Sequence, residues 1–225
     1  MRESGLCGSV RRVCPIALLG LATTLSAQTP AANSLLQREV GRALERLGAA
    51  NAFNERMKLA ATPQAALQLG FALAHHGIGR LDPPTLQARA EILQRLFAGA
   101  DEATCAQWTR GNLDPVRATG LIGSLDSTTT SRWAEISARA MVAEMNATVP
   151  VALPSDSAAR GAFLSVTTVL NARERARFVD VLQRLGSASD AETCWFSRTV
   201  YAGVLRLPAE RRGTTLSVLA RLESQ

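Results

Sequence analysis

The chain has 225 residues and a formal net charge of +6; 47% of it is apolar, yet only 4% is aromatic. That apolar share supports a sizeable core, while the scarcity of aromatics and the abundance of Ala, Leu and Arg argue against a β-sandwich and for helices packed through small residues. Lys58 is the only lysine, and the arginines alternate with Glu and Asp at helical spacing instead of gathering on one face, which argues against nucleic-acid binding.

Residues 1–27 have the three-part layout of a secretory leader: Arg2, Arg11 and Arg12, then an apolar run over 13–25, then small residues. Cleavage is expected near Ala27, with Ser26 as the competing position. The leader carries three arginines against Glu3, a net +2, so about +4 of the total +6 belongs to the mature chain. The run is too short for a stable membrane helix, and no second run is long enough. Arg11-Arg12 lacks the rest of a twin-arginine pattern, and neither Cys7 nor Cys14 sits in a lipoprotein box. The expectation is a soluble exported protein, periplasmic or extracellular, from a bacterial source.

The mature chain reads as helices throughout. From Asn33 a stripe of Leu36, Val40, Leu44 and Leu47 forms, ended by Gly48. Residues 51–61 make a weaker helical segment. Thr62-Pro63 is an N-cap followed by Pro at the first helical position. Leu67, Phe71, Ala74 and Ile78 follow as core, and Gly77 with Gly79 is expected to stop the helix. Asp82-Pro83 caps a helix carrying Leu86, Ala90, Leu93 and Phe97. Asp101 opens a helix bearing Cys105 that stops at Gly111, and Asp114-Pro115 opens another. A Ser/Thr run after Asp126 caps a longer helix with Trp133, Ile136, Ala140 and Ala143.

Pro150 and Pro154 break the pattern over 146–156, which marks a linker. Beyond it lie Phe163, Val166 and Leu170. Asn171 then caps a helix with Phe178, Leu182 and Leu185, and Ser189 with Glu192 forms a capping box. Pro208 starts the last helix, whose Leu216, Leu219 and Leu222 face inward. The expected division is a leader over 1–27, a helical half over 28–149 and a second over 150–225, packed as one domain.

Residues 92–105, ILQRLFAGADEATC, return without a gap at 181–194, VLQRLGSASDAETC, an offset of 89. This points to an all-α, compact multi-helix bundle made of two internally duplicated halves. Cys105 and Cys194 are the two cysteines outside the leader, and an even count in an oxidising compartment predicts a disulfide. A pseudo-two-fold arrangement would bring equivalent residues together near its axis; two buried thiols, each within its own half, is the other reading.

Trp108 with Arg110, and Trp195 with Arg198, flank the cysteines. Either pair could form a binding surface through stacking and bidentate hydrogen bonds, or the tryptophans are core and the arginines snorkel past them. His75-His76 are neighbours about a hundred degrees apart on a helix, and suit the helix C-terminus better than a shared metal ion. Glu39, Glu45, Glu55 and Glu91 fall on helix surfaces, and no spacing selects a catalytic pair. No nucleophile elbow or phosphate loop is present. No catalytic residue, metal site or cofactor is therefore expected. The expected function is a non-enzymatic, envelope-associated module that contacts an unidentified protein partner. The alternatives are a small hydrolase with a carboxylate-based site and a helical carrier of an apolar ligand.

Overall fold

A computed structural model describes residues 30–224, so the leader and its cleavage site lie outside the described residues. Among these residues the chain forms eleven α-helices, two short 3-10 turns and no strand: α1 (Pro30–Arg46), α2 (Ala50–Met57), α3 (Pro63–Gly77), α4 (Pro83–Gly99), α5 (Glu102–Thr109), α6 (Pro115–Gly123), α7 (Ser127–Met145), α8 (Asp156–Thr167), α9 (Ala172–Gln183), α10 (Asp190–Arg206) and α11 (Ala209–Glu223). The chain is an all-α multi-helix bundle. None of these helices is long and apolar enough to cross a membrane.

Most helix starts are set by one side chain. Thr62, Asp82, Asp101, Asp114, Ser155, Asn171 and Ser189 each accept a hydrogen bond from a backbone N–H in the first turn of the helix that follows. α7 is also capped by an acid: Asp126 accepts from the Thr129 N–H at 2.9 Å, and the Ser/Thr run is the helix's first turn rather than its cap. α1 starts at Pro30, three residues ahead of Asn33, because proline fits the first turn, where an N–H has no partner anyway.

Two helices end as the sequence predicts. Gly48 and Gly111 adopt φ of +66° and +69°. After α1, Ala49 N–H reaches Leu44 O and Gly48 N–H reaches Glu45 O, both at 2.9 Å; after α5, Asn112 N–H reaches Gln107 O and Gly111 N–H reaches Trp108 O, both at 3.0 Å. These are paired Schellman bonds around a left-handed residue. Leu47 falls in the first of these turns and is exposed, so it leaves the stripe that Leu36 and Leu44 bury.

Gly77 behaves differently. α3 ends there as expected, but without a left-handed residue: φ is −73°, and a 3-10 turn over Ile78–Arg80 follows directly. Its missing side chain serves packing: a Cβ there would lie 1.9 Å from the Ala140 carbonyl oxygen, so α7 crosses α3 in direct backbone contact.

The elements group in space otherwise than in sequence. α1 and α3 pack on α7, and α1 also on α6; α5, α4 and α8 pack on α10, and α11 packs on α4 and α8. The chain is non-helical over 146–155, yet one buried cluster runs from Leu36 through Leu93, Phe97 and Ile122 to Phe178, Val204 and Leu219. Packing therefore continues across the expected linker.

The two similar segments occupy a helix end, a turn and the start of a cysteine helix. α4 has 17 residues and α9 only 12, with a 3-10 turn over Leu185–Ser187 between α9 and α10. Asp101 caps α5, but Ser189, not Asp190, caps α10. The serine wins because Glu192 answers it, giving two reciprocal bonds. Cap to cap the offset is 189 − 101 = 88, while cysteine to cysteine it is 194 − 105 = 89, so the cysteines sit about 100° apart in helical phase.

Candidate functional site

Cys105 and Cys194 are fully buried, with sulfurs at bonding distance and Cα atoms 5.2 Å apart, within the span a disulfide requires. The pair joins α5 to α10. Around it the flanking residues knit the same two segments together. Arg110 donates to the Ala188 carbonyl at 2.7 Å and to the Thr193 hydroxyl at 3.0 Å, and its Nη1 lies 2.6 Å from Asp190 Oδ1. Arg198 answers from the other side, donating to the Phe97 carbonyl at 2.7 Å and the Ala100 carbonyl at 2.8 Å. Each guanidinium thus satisfies carbonyls at the turn before the opposite cysteine helix. Thr109 and Ser197 hydroxyls meet between them at 2.7 Å.

The tryptophans part company. Trp108 packs edge-on against both Phe97 and Trp133, with ring centroids at 6.1 and 5.9 Å. Trp195 is half-buried and carries the Arg177 guanidinium 4.1 Å above its ring.

A buried charge sits close by. Arg89 of α4 is 7% exposed and its Nη1 lies 2.7 Å from Glu223 Oε2 of α11. The Tyr201 hydroxyl donates to the other Glu223 oxygen. Burial works against the Arg89 charge, but the Glu223 carboxylate and Tyr201 outweigh it and push its pKa above the ordinary value. Burial, then the Glu223 charge, pushes the Tyr201 phenol well above its usual range. Arg89 also lies 5.8 Å from the centroid of Trp133, and Tyr201 touches Phe97. The contacts close on themselves: Trp133, Trp108, Phe97, Tyr201, Glu223, Arg89 and back to Trp133. The ring fixes the position of Trp133.

Trp133 also lines a cavity. This cleft of about 350 Å³ lies among α1, α2, α3, α6 and α7. Leu36, Val40 and Leu44 of α1 face Leu67, Phe71 and Ala74 of α3 across it. Phe53 of α2 closes one side, and Ile122, Trp133 and Met141 form the buried wall. Small residues opposite large ones leave the space: Gly41 on α1, and Ala66 and Gly70 on α3. The volume falls in the range of small-molecule sites, which are mostly apolar with a few polar groups at fixed places.

The remaining sequence candidates are dispersed. Glu39 pairs with Arg42, Glu55 with Lys58, and Glu91 with Arg132. Glu45 alone of that set lines the cavity. The His75 and His76 rings meet edge-on at 5.8 Å. Burial holds His75 below its ordinary pKa, partly offset by Glu223. Among the described residues, no group of three or more His, Cys, Asp or Glu could hold a metal ion.

The groups with displaced pKa values lie elsewhere. Asp101 and Asp126 are lowered first by the Thr104 and Thr129 hydroxyls. Glu192 is lowered to about 2, chiefly by its hydrogen bond from Arg184. None of these lines the cavity.

Two parts of this site escape a reading of the sequence. The Leu36–Leu44 and Leu67–Ala74 stripes pass for ordinary core, and only the glycines and alanines among them hint at a void. Arg89 has a clearer signal: it falls between Leu86 and Leu93 on a stripe of otherwise apolar residues. No protein family, characterised protein or solved structure matches this chain.

Proposed function

We propose that this chain is an exported helical binding protein that carries a small apolar molecule in the cleft between α1, α3 and α7. The cavity of about 350 Å³ carries this reading. Its walls are mostly hydrocarbon and aromatic, with a few polar side chains, and the groups with displaced pKa values stand outside it. Export rests on the leader-like residues 1–27, and the Cys105–Cys194 pair suits an oxidising compartment.

Titration calorimetry with decanol tests the site in the purified protein and in Gly70→Leu. A Cβ at Gly70 meets nothing nearer than Phe53 Cζ at 4.0 Å, and Gly70 lines the cleft, so the larger side chain is directed at the ligand's space. Leucine is also the better helix former by roughly 0.8 kcal/mol, and thermal unfolding of the variant, expected at or near the parent midpoint, separates loss of the site from loss of the fold. Decanol is expected to bind the parent chain and not Gly70→Leu. Equal binding by both refutes the site.

A second reading, contact with a protein partner, draws on Trp195 under Arg177 at the surface of α10 and α9. Partners are often anchored by such Trp and Arg groups. If this reading holds, Trp195→Ala weakens capture of the partner and leaves decanol binding unchanged.

A further inference from the structure

The chemistry of the cleft's mouth selects among apolar ligands, provided that the cleft is the ligand site proposed above. Its inner wall of Ile122, Trp133 and Met141 is buried. Its rim carries the exposed side chains Gln37, Glu45 and Asn54. Glu45 is the one charged residue among the described residues that line it. The neighbouring bases on α1 are engaged elsewhere: Arg42 Nη1 lies 2.9 Å from Glu39 Oε1, and Arg46 Nη2 lies 2.7 Å from Glu135 Oε2. No ion pair engages Glu45 among the described residues.

We propose that the occupant is a single-chain amphiphile with a cationic ammonium head, its tail against Trp133 and its head at Glu45. A wholly apolar molecule filling the cleft would strip water from the rim carboxylate and amides without replacing it, a cost that a hydrogen-bonding head avoids. An anionic head would meet the Glu45 carboxylate with like charge, which opposes binding, whereas an ammonium meets an opposite charge and two amide acceptors. The charge preference is moderate because the mouth is open to water, where a single ion pair is partly screened.

The test uses three probes with the same tail: decylamine, decanol and decanoate, titrated calorimetrically at neutral pH and low salt into the purified protein and into Glu45→Gln. Decylamine is expected to bind tighter than decanoate by roughly threefold to tenfold, with decanol between them. In Glu45→Gln decylamine and decanoate are expected to bind equally, while the thermal unfolding midpoint stays that of the parent chain because residue 45 is exposed. Decanoate binding the parent chain as tightly as decylamine overturns the proposal. So does a preference that survives in Glu45→Gln, since it would then arise from some other group. If none of the three binds, decanol included, the cavity reading itself falls, and the charge of the head is not what failed.

Discussion

Replacing Gly77 by alanine tests how closely the walls of the cleft are fitted. The added Cβ would stand 1.9 Å from the Ala140 carbonyl oxygen and 2.5 Å from its carbon. A carbon–oxygen contact needs roughly 3.3 Å, so α3 and α7 must separate by about 1.4 Å at this point. The obstacle is backbone, with no flexible tip to swing aside. Overpacking of this kind costs about 1–3 kcal/mol, and the absence of a yielding partner puts it at the upper end. The intrinsic preference of a helix for Ala over Gly returns at most about 1 kcal/mol, less at a helix end. The net loss is about 2 kcal/mol, which lowers Tm by roughly 4–8 °C in a domain of this size. Gly70→Ala, two turns earlier on α3 and free of any clash, is the control: its nearest contact is Phe53 Cζ at 4.0 Å, and it is expected to gain up to about 1 kcal/mol. Thermal and guanidinium unfolding followed by circular dichroism would report both. A Gly77→Ala protein as stable as Gly70→Ala refutes the backbone contact. Because α3 and α7 both line the cleft, Gly77→Ala should also weaken decanol binding.

Three further outcomes concern the buried pairs and the titrating groups. Reduction of Cys105–Cys194 opens a loop of sequence separation 89 and should cost roughly 4–5 kcal/mol in the chain-entropy treatment; mass analysis after alkylation in denaturant, with two labelled thiols and no reductant, would show the bond absent. Glu223→Gln leaves the Arg89 guanidinium buried without its counter-charge. The loss should be roughly 2–3 kcal/mol, below the value for fully buried pairs because the Glu223 side chain is 31% exposed. Adding Arg89→Met should recover most of it in denaturant titrations, and a double variant no better than the single one contradicts the ion-pair account. Acid should weaken the fold in two stages. His75 has its folded pKa lowered by burial, so its contribution is complete above the ordinary histidine value and fades as pH falls through that value and the lowered one. Asp101, Asp126 and Glu192 are lowered by Thr104, Thr129 and Arg184, so what they add is present above the ordinary carboxylate range, about pH 4, and is lost as pH drops toward about 2, where Glu192 titrates. A urea midpoint unchanged between neutral pH and about pH 3 contradicts that sign.

The helices were legible because their signals are local. An Asp, Ser, Thr or Asn that accepts from an N–H three residues on needs no knowledge of the rest of the chain, and Asp82, Asp101, Asp114 and Asn171 all announce themselves this way. The cysteine partnership was legible from count and context. What depends on the distance between helices was not. Gly77 is legible as the end of α3, but its need to lack a Cβ is set by Ala140, 63 residues away. The Leu36 and Phe71 stripes line a cleft as well as contributing to the core, and Gly41 and Gly70 are among the residues that line it with them. The gapless likeness of 92–105 and 181–194 suggests one register, whereas the Ser189–Glu192 capping box, itself legible in the sequence, sets the caps in another.

The crosslink between α5 and α10 also divides the molecule topologically. It makes a closed covalent ring of the chain from Cys105 to Cys194, which contains α6 through α9, and leaves two arms outside it: α1 to α4 before the ring, and the rest of α10 with α11 after it. One cut in the exposed 146–155 stretch leaves the two products attached to each other. One cut in the exposed turn over 58–62 releases α1 and α2 altogether, held afterwards by packing alone. The cleft has one jaw on each side of that boundary: α6 and α7 belong to the ring, α1 to α3 to the first arm. Apart from the main chain, no covalent bond joins the two jaws, so the cleft is held closed by the packing of α1 and α3 on α7.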